Sequence, residues 1–373
     1  MNPPGLKLGL QQRVLAGYRV PFFEMLADQF AGGFCMFAGE ARPEEMIETR
    51  VEPRNSPLIH AYNLHFFGGK YYLCWQVGLV QWLQSWNPDV LILEANPRYL
   101  NQGNAIRWMH QQHRPVVGWG LGAPPISGVL GALQNIWRRR FISRFDVMIT
   151  YSQAGAASYR AAGIPPQRVF VACNAVAPRP KQELFTRPEI YLEGRPTILF
   201  VGRLQARKRV DYLLRACATF PEERQPRLWV VGDGPELEGL KNLAKEIYPQ
   251  TEFLGAKFGQ ALASIFQAAD LFVLPGTGGL ALQEAMSYGL PVMAAEADGT
   301  QADLVRMENG WRIPPGNQEM LNQLLAEALS DVNRLRRMGA ESYRIVNEEI
   351  NLEKMVDVFS QAVQFAWEAR KTA

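Results

Sequence analysis

A cluster of cations follows a short apolar stretch in the second half of the sequence. Thr197–Val201 is rich in β-branched and aromatic residues, and the turn Gly202–Arg209 then carries three arginines and Lys208. Arg203 offers a guanidinium fork and Lys208 a compact ammonium, so together they can neutralise charge on a departing diphosphate without a metal. A solvated basic turn has the same composition, and the charge pattern alone leaves both interpretations open.

A glycine-rich turn follows the next apolar stretch. Val231–Glu236 passes through Gly232 and Gly234 and enters a helix at a proline suited to a first helical position. Such a turn exposes backbone amides at a helix N-terminus and can approach a nucleotide, although many α/β proteins have one for topology alone.

A second glycine-rich turn, Pro275–Leu280, contains Gly278 and Gly279 and leads into a helix with Glu284 in its second turn. Glycines before a helix free the backbone to wrap an anion, which the helix dipole favours. Glu284 can accept hydrogen bonds from ribose hydroxyls near that anion. Close packing of the helix on a sheet would also explain the glycines, but the pattern favours a phosphate or sugar site.

Missing motifs exclude several other chemistries. The sequence has no GxxxxGK[ST] phosphate loop, and no two aspartates stand two positions apart to hold a metal against a diphosphate. The histidine pairs His110 with His113 and His60 with His65 lack an adjacent Glu or Cys, so we interpret them as structural or surface groups. Gly118–Gly122 lacks the spacing of a dinucleotide fingerprint. We therefore expect neither a metal nor another cofactor.

Alternation of apolar and amphipathic stretches predicts the elements that position these turns. In the second half, the predicted strands are Thr197–Val201, Arg227–Val231, Thr251–Leu254, Leu271–Leu274 and Pro291–Ala295. In the first half, they are Leu6–Leu10, Gly33–Ala38, Val90–Glu94, Pro115–Gly118, Val147–Tyr151 and Arg168–Ala172. The pattern predicts an α/β fold with two Rossmann-like, doubly wound parallel sheets, whose following loops face a shared, ligand-binding cleft.

Length and composition fit two domains. The chain has 373 residues, of which 47% are hydrophobic, and this excludes disorder and fibres. We predict an N-terminal domain at 1–178, a linker at 179–195 where prolines interrupt any periodicity, and a C-terminal domain at 196–350. Apolar residues at helical spacing in 351–373 predict a packed terminal helix. The net charge of +3 is too small to indicate a nucleic-acid partner.

The order and spacing of six motifs in the second half resemble the donor domain of the retaining GT-B glycosyltransferases of family four, or glycosyl transferases group 1. The motifs are Gly202–Leu204 with Lys208, Val231–Pro235, Phe253–Gly255, Ala269–Pro275, Gln283–Met286 and Gly289–Val292. The first half is similar more loosely, at Arg13, Tyr18–Phe23, Glu94–Arg98, Tyr151–Ser152 and Val169–Val176.

The resemblance implies metal-independent, retaining transfer of a hexose from a UDP- or GDP-sugar to a hydroxyl of a glycan, lipid or small molecule. Arg203 and Lys208 would act as catalytic cations on the phosphates, and Glu284 would hold the ribose. The other implied donor contacts are Gly17, Gly202, Gly232, Gly234, Gly255, Ala256, Lys257, Gly278, Gly279 and Leu280. Among them, 255–257 would lie near the base and Gly17 would come from the first domain. The acceptor would also enter from that domain, onto which the terminal helix would pack.

Two positions depart from the family pattern. Gly276 stands eight residues before Glu284, where the family usually has a glutamate that touches the donor sugar, and Leu121 stands where a histidine often does. Neither loss need abolish transfer, because in the front-face mechanism attributed to the family the leaving phosphate can take the acceptor's proton. Two alternatives stay open: a catalytically silent sugar-nucleotide-binding subunit, and a UDP-sugar epimerase, for which we identify no base in the cleft.

Cysteine usage and the first residues predict a cytoplasmic location. Four cysteines lie far apart without CxxC spacing, and Met1–Leu10 lacks the pattern of a signal peptide. The stretch Trp137–Arg144 interleaves arginines with aromatic residues, which suits peripheral contact with an anionic membrane at its inner face. A helix with an apolar core face and a solvated basic face has the same pattern, so both interpretations stay open.

Overall fold

The computed structural model describes residues 5–42, 45, 49, 53, 56–128, 131–278, 280–297 and 299–371, apart from the side chains of Lys70 and Leu280. The chain divides into two compact units. The first comprises Met1–Val176 with Leu352–Ala373, and the second comprises Ala177–Asn351. Both units consist of a largely parallel sheet with helices packed against it, as the alternation of stretches predicted.

The first unit contains a sheet whose described strands follow the order β4-β3-β2-β1-β5-β6-β7-β8. The strands are β1 Leu8–Val14, β2 Phe34–Gly39, β3 Leu58–Phe66, β4 Leu73–Val77, β5 Val90–Glu94, β6 Val116–Gly120, β7 Val147–Thr150 and β8 Val169–Val171. The helices are α1 Val20–Ala27, α2 Leu79–Trp86, α3 Gln102–Gln111, α4 Gly131–Ile142 and α5 Gln153–Ala161. All neighbouring strands pair in parallel except β3 and β4, which are antiparallel.

The first sheet differs from its prediction in two ways. The hairpin of β3 and β4 was not predicted, and the sheet is therefore not purely parallel; a short turn can join only antiparallel strands. Strand β1 also continues to Val14, although the prediction ended it at Leu10. Gln11 is fully buried in the added part, and its side-chain oxygen accepts the amide of Glu94 at 3.2 Å. Hydrogen bonding therefore keeps polar residues within this strand.

The second unit contains a parallel sheet whose described strands follow the order β11-β10-β9-β12-β13-β14. The strands are β9 Thr197–Val201, β10 Arg227–Val231, β11 Glu252–Gly255, β12 Leu271–Leu274, β13 Val292–Ala295 and β14 Gly310–Ile313. The helices are α6 Val210–Ala218, α7 Leu237–Ile247, α8 Gly259–Ala268, α9 Leu280–Ser287, α10 Gln301–Leu304, α11 Gln318–Leu329 and α12 Val332–Arg344. Every residue of β12 is buried, as expected where helices cover both faces of a sheet.

The segment predicted as a linker, 179–195, packs on the second unit. The Arg187 guanidinium donates to the carbonyl oxygens of Phe266, Tyr288 and Gly289 at 2.8 to 2.9 Å. These contacts join residues far apart in sequence, so periodicity could not reveal them. The last helix, α13 Leu352–Lys371, belongs to the first unit, where Phe359 packs edge-on against Phe22 with ring centres 4.9 Å apart. In the described part of the chain, no helix has the length and apolar character to cross a membrane.

Candidate functional site

The three turns singled out in the sequence lie at one edge of the second sheet. The chain leaves β9 at Gly202, β10 at Gly232 and β12 at Pro275. These strands are parallel neighbours in the order β10-β9-β12. The carboxyl ends of parallel strands meet at the same edge, which is where open α/β sheets bind ligands.

The first two turns are held together by their backbones. The amide of Leu204 donates to the carbonyl of Asp233 at 2.9 Å. A Cβ at Gly232 would overlap the carbonyl oxygen of Gly202, and a Cβ at Gly234 would overlap that of Leu204. Gly232 and Gly234 therefore have a structural role, because only glycine lets the two turns approach this closely.

These turns line a cavity of about 730 Å³. This volume is typical of sites for small molecules. The lining residues are Val201, Gly202, Arg203, Val231, Gly232, Asp233, Gly234, Pro235, Ala256, Lys257 and Phe258. The structure thus brings together six of the predicted site residues: Gly202, Arg203, Gly232, Gly234, Ala256 and Lys257. Gly255 stands beside them at φ +68°, and its carbonyl accepts the amide of Gly232 at 2.9 Å.

Arg203 has an exposed side chain on the wall of this cavity. Among the described residues, no carboxylate forms an ion pair with its guanidinium. A guanidinium without an acidic partner is free to bind a phosphate in a bidentate way.

Phe258 lines the cavity but is not among the residues singled out in the sequence. Helix α8 begins one residue later, at Gly259, and the Phe258 ring is 80% exposed beside the cavity. An exposed ring in this place offers a flat apolar surface to a planar ligand. The available signal was an aromatic residue directly after the turn Gly255–Lys257.

Lys208 lies outside the cavity lining, against the β12–α9 turn. A Cβ at Gly278 would overlap the ammonium nitrogen of Lys208, so the lysine and this glycine are in close contact. Burial, together with the nearby charge of Arg207, lowers the pKa of Lys208 from 10.5 to about 8. No carboxylate among the described residues offsets this cost. Lys208 would therefore gain from an arriving anion.

The β12–α9 turn packs against the backbone of the turn Gly202–Arg209, which we call the basic turn. The amide of Thr277 donates to the carbonyl of Arg207 at 3.0 Å, and a Cβ at Gly276 would overlap that same carbonyl oxygen. The glutamate of the family pattern therefore has no room at position 276. Of the two other predicted contacts in this turn, Gly279 lies outside the described residues, and Leu280 is the first residue of α9.

Glu284 lies one turn further along α9 and is exposed. Desolvation by neighbouring protein still raises the pKa of its carboxyl above the ordinary value. Because no ion pair among the described residues uses this carboxylate, hydroxyl groups of a ligand could donate to it. Its contact with ribose stays a prediction.

Two predicted features lie in the first unit. Gly17 begins a short 3₁₀ turn, Gly17–Arg19, between β1 and α1. The buried guanidinium of Arg19 anchors this turn by donating to the carbonyl of Ala175 at 3.4 Å and lying 5.4 Å from the ring centre of Tyr151. Leu121 follows β6 and is exposed. The contact of Gly17 with phosphates stays a prediction.

The stretch Trp137–Arg144 occupies two environments. Phe141 and Ile142 are buried in the core of the first unit, whereas Trp137 is 58% exposed beside the exposed Arg140. The stretch therefore has both a core face and an exposed face that combines an indole ring with cations. Its contact with a membrane stays a prediction.

His110 is a structural group, as its sequence context suggested. Its Nε2 makes a 2.9 Å hydrogen bond with the carboxylate of Asp146, which also accepts the amide of Val116 at 2.8 Å. Within the described ranges, no three His, Cys, Asp or Glu side chains are grouped as metal ligands.

Comparisons with known proteins relate the second unit to one family. Residues 182–345 match the model of glycosyl transferases group 1, and this range contains the cavity and all three turns. A GDP-mannose-dependent alpha-mannosyltransferase of Mycobacterium tuberculosis is 30% identical over 252 residues, which cover 64% of this chain and 63% of that protein. A protein of the same description from Mycolicibacterium smegmatis is 30% identical over 244 residues, or 60% of each chain. The chain thus spans less than two thirds of these relatives.

Solved structures resemble the whole chain at low sequence identity. The lipopolysaccharide outer core galactosyltransferase WaaB superposes with a TM-score of 0.69 at 17% identity, covering 96% of this chain and 99% of its own. Anabaena Alr3699/HepE, solved in complex with UDP, superposes with a TM-score of 0.69 at 17% identity, covering 96% of this chain and 100% of its own. These likenesses show a GT-B fold. Within this fold, residues 182–345 are the part of the chain that matches the glycosyl transferases group 1 family.

Proposed function

We propose that this protein transfers a hexose from a nucleoside diphosphate sugar to a hydroxyl acceptor. The observation that carries the proposal is the cavity at the carboxyl edge of the second sheet, which lies within the family segment and has on its wall Arg203, with which no carboxylate of the described residues pairs. Its volume of about 730 Å³ accommodates a nucleotide sugar.

We propose that the nucleoside binds along the strand ends of β9 and β10. Ala256, Lys257 and the ring of Phe258 would lie next to the base, and Glu284 would accept hydrogen bonds from the ribose. GDP-mannose is the first donor to test, because two relatives that are 30% identical are described as GDP-mannose-dependent. UDP-sugars come next, since the fold is shared with a protein solved in complex with UDP.

The chain's cations supply the electrostatics of the proposed reaction. The bond between the anomeric carbon and the diphosphate oxygen breaks, and Arg203 and Lys208 stabilise the charge that develops on that oxygen. The acceptor oxygen bonds to the anomeric carbon on the same face, and its proton passes to the leaving phosphate, so the configuration is retained. No metal is required in this scheme, because Arg203 and Lys208 would supply the positive charge that offsets the diphosphate.

Nucleoside diphosphate release by the full chain tests this proposal. We expect turnover with one donor of a GDP- and UDP-sugar panel, undiminished by chelator, and a product with the donor's anomeric configuration by NMR. Arg203→Ala should lower kcat/KM by about 100- to 1000-fold, the usual effect of removing one such donor. Arg215→Ala is the matched control, since Arg215 is an exposed arginine of the same unit outside the cavity.

A catalytically silent sugar-nucleotide-binding subunit is the second candidate, favoured by the lack of room for a glutamate at position 276. It would bind a nucleotide sugar by calorimetry without releasing nucleoside diphosphate. Binding with no hydrolysis or transfer for any donor would establish that function instead. An epimerase would interconvert UDP-sugars without an acceptor, which the same NMR experiment would detect.

We also propose peripheral contact of the first unit with anionic membranes through Trp137–Arg144, on the cytoplasmic side. The exposed indole and arginines of α4 support this contact. Co-sedimentation with anionic vesicles should be lost on raising the salt concentration and weakened by Arg139→Gln with Arg140→Gln. Binding that these two changes leave intact would contradict the assignment.

A further inference from the structure

The hairpin of β3 and β4 extends the first sheet beyond its neighbouring strand. β3 pairs with β2 only as far as Ala61, opposite Gly39. From Tyr62 onward, β3 pairs instead with β4 in an antiparallel ladder. The hairpin thus projects past the carboxyl end of β2, and beyond that point β2 no longer pairs with β3.

One face of this hairpin is apolar and exposed. Three consecutive cross-strand pairs share it: Tyr62 with Val77, Leu64 with Trp75, and Phe66 with Leu73. Five of these six side chains are between 38% and 70% exposed. None of the six carries a charge or an amide. We call these six residues the hairpin face.

The opposite face is polar and packed inward. Nε2 of the buried Gln76 donates to the side-chain oxygen of Asn63 at 2.9 Å, and the Asn63 amide donates to the carbonyl of Arg13 at 2.8 Å. A shift of one residue would turn the apolar side chains inward, but it would break this network. The network therefore fixes the hairpin face outward.

The turn of the hairpin adds two exposed rings. Phe67 is 74% exposed and Tyr71 is 68% exposed. Phe67 has a φ of +59°, a left-handed conformation that is rare for a bulky residue. The two rings thus add to the exposed apolar surface at this end of the hairpin.

We propose that the hairpin face packs against the same face of a second copy of this chain. The two hairpins would stack as layers of a β-sandwich around a two-fold axis. The hairpin face exposes roughly 400 Å² of apolar area, and the two rings of the adjoining turn expose roughly 300 Å² more, taking about 150–250 Å² for each whole aromatic side chain. A standard interface covers about 800 Å² on each partner, which the hairpin face approaches when the turn rings are counted with it.

The chemistry of the hairpin face favours a copy of itself over other partners. Because the six side chains are uncharged, no like charges meet across the two-fold axis. The six side chains themselves include neither the cations that an anionic membrane would favour nor the amides or carboxylates that a glycan would need; such groups, Glu40 and Asn63 among them, lie only at the Tyr62 end, where this ring borders a cavity.

The molecular mass of the full chain in solution tests the proposal. Sedimentation equilibrium should give twice 42.0 kDa at micromolar concentration. Leu64→Glu and Trp75→Glu each place like charges opposite one another, and each should weaken dimerisation by about 100-fold or more. Both side chains are 38% exposed, and a circular dichroism spectrum that matches the wild-type spectrum will show that each variant folds. Trp137→Glu is the matched control, an exposed tryptophan of the first unit outside the hairpin face, and it should remain dimeric.

A cross-linking experiment gives a readout that does not depend on affinity. Leu64→Cys lies in the central pair of the hairpin face, so mild oxidation should produce a disulfide-linked dimer, which Trp137→Cys should not. A wild-type chain that stays monomeric throughout the micromolar range would overturn the proposal. So would a dimer that persists in both glutamate variants, or a monomer that binds phosphatidylcholine vesicles through Leu64 and Trp75.

Discussion

Replacing Lys208 by methionine should stabilise the protein while strongly lowering the proposed transfer activity. The ammonium is half-buried against Gly278, and burial, with the charge of Arg207, lowers its pKa from 10.5 to about 8. A difference of this size means that the folded protein disfavours the charged form by up to about 3 kcal/mol, which partial exposure to solvent reduces. Methionine keeps the length of the side chain and removes the charge.

The sign and the pH range follow from linkage. Below pH 8, Lys208 is charged in both the folded and the unfolded chain, so the folded chain carries the full cost of burying the charge. Between about pH 8 and 10.5, the folded chain loses its proton first, and the free energy of unfolding rises with pH. At pH 7, the free energy of unfolding of Lys208→Met should therefore exceed that of the wild type by about 1–3 kcal/mol. This difference should vanish near pH 10.5.

Turnover should respond in the opposite direction. Without the ammonium, kcat/KM should fall about 100- to 1000-fold, because charge on the leaving diphosphate loses a stabilising cation. In the wild type, kcat/KM should decline as pH rises above about 8, and Lys208→Arg should remove this decline, since a guanidinium stays charged.

Urea unfolding at several pH values and nucleoside diphosphate release measure the two effects. Lys245→Met, at an exposed lysine of α7, is the control and should change neither. A Lys208→Met variant that is less stable than the wild type at pH 7 would contradict the assigned cost of burying the ammonium. So would a difference in the free energy of unfolding that does not shrink between pH 8 and 10.5.

Three further predictions concern the turns around the site. Gly276→Glu should lower the free energy of unfolding by more than about 2 kcal/mol without raising activity, since the new Cβ would overlap the Arg207 carbonyl. The control Gly239→Ala, at an open position of α7, should be neutral or stabilising in the same urea titration. Gly232→Ala should destabilise by a similar amount and weaken nucleotide binding by calorimetry, because the two turns it joins must separate. Glu284→Gln should raise the KM for the donor about 10-fold with kcat nearly unchanged, and an unchanged KM would remove the ribose contact.

Most strands of the second unit, although not β14, which was missed, could be predicted from the sequence, because central strands such as β9 and β12 are buried on both faces. Such strands are continuous apolar runs that end at glycine or proline, and the bounds of β9, β10 and β12 agree with the prediction. Since parallel strands share a carboxyl edge, the turns that follow them could also be grouped into one site.

The hairpin face could not be predicted by the same reasoning. Alternation is usually interpreted with apolar residues inside, whereas β3 and β4 hold Asn63 and Gln76 inside and Leu64 and Trp75 outside. A polar network formed by residues distant in sequence, including Arg13, determines this orientation. Local patterns carry no information about such contacts.

The contact between the basic turn and the β12–α9 turn explains two features that seem unrelated in the sequence. Because residue 276 is a glycine, the β12–α9 turn approaches the carbonyl of Arg207 and bonds to it through Thr277. The same approach places Gly278 on the ammonium of Lys208 and removes water from it. A side chain at 276 would hold the turn away and leave Lys208 better solvated, with a higher pKa. The glycine at 276 and the half-buried ammonium of Lys208 thus belong to the same contact between the two turns.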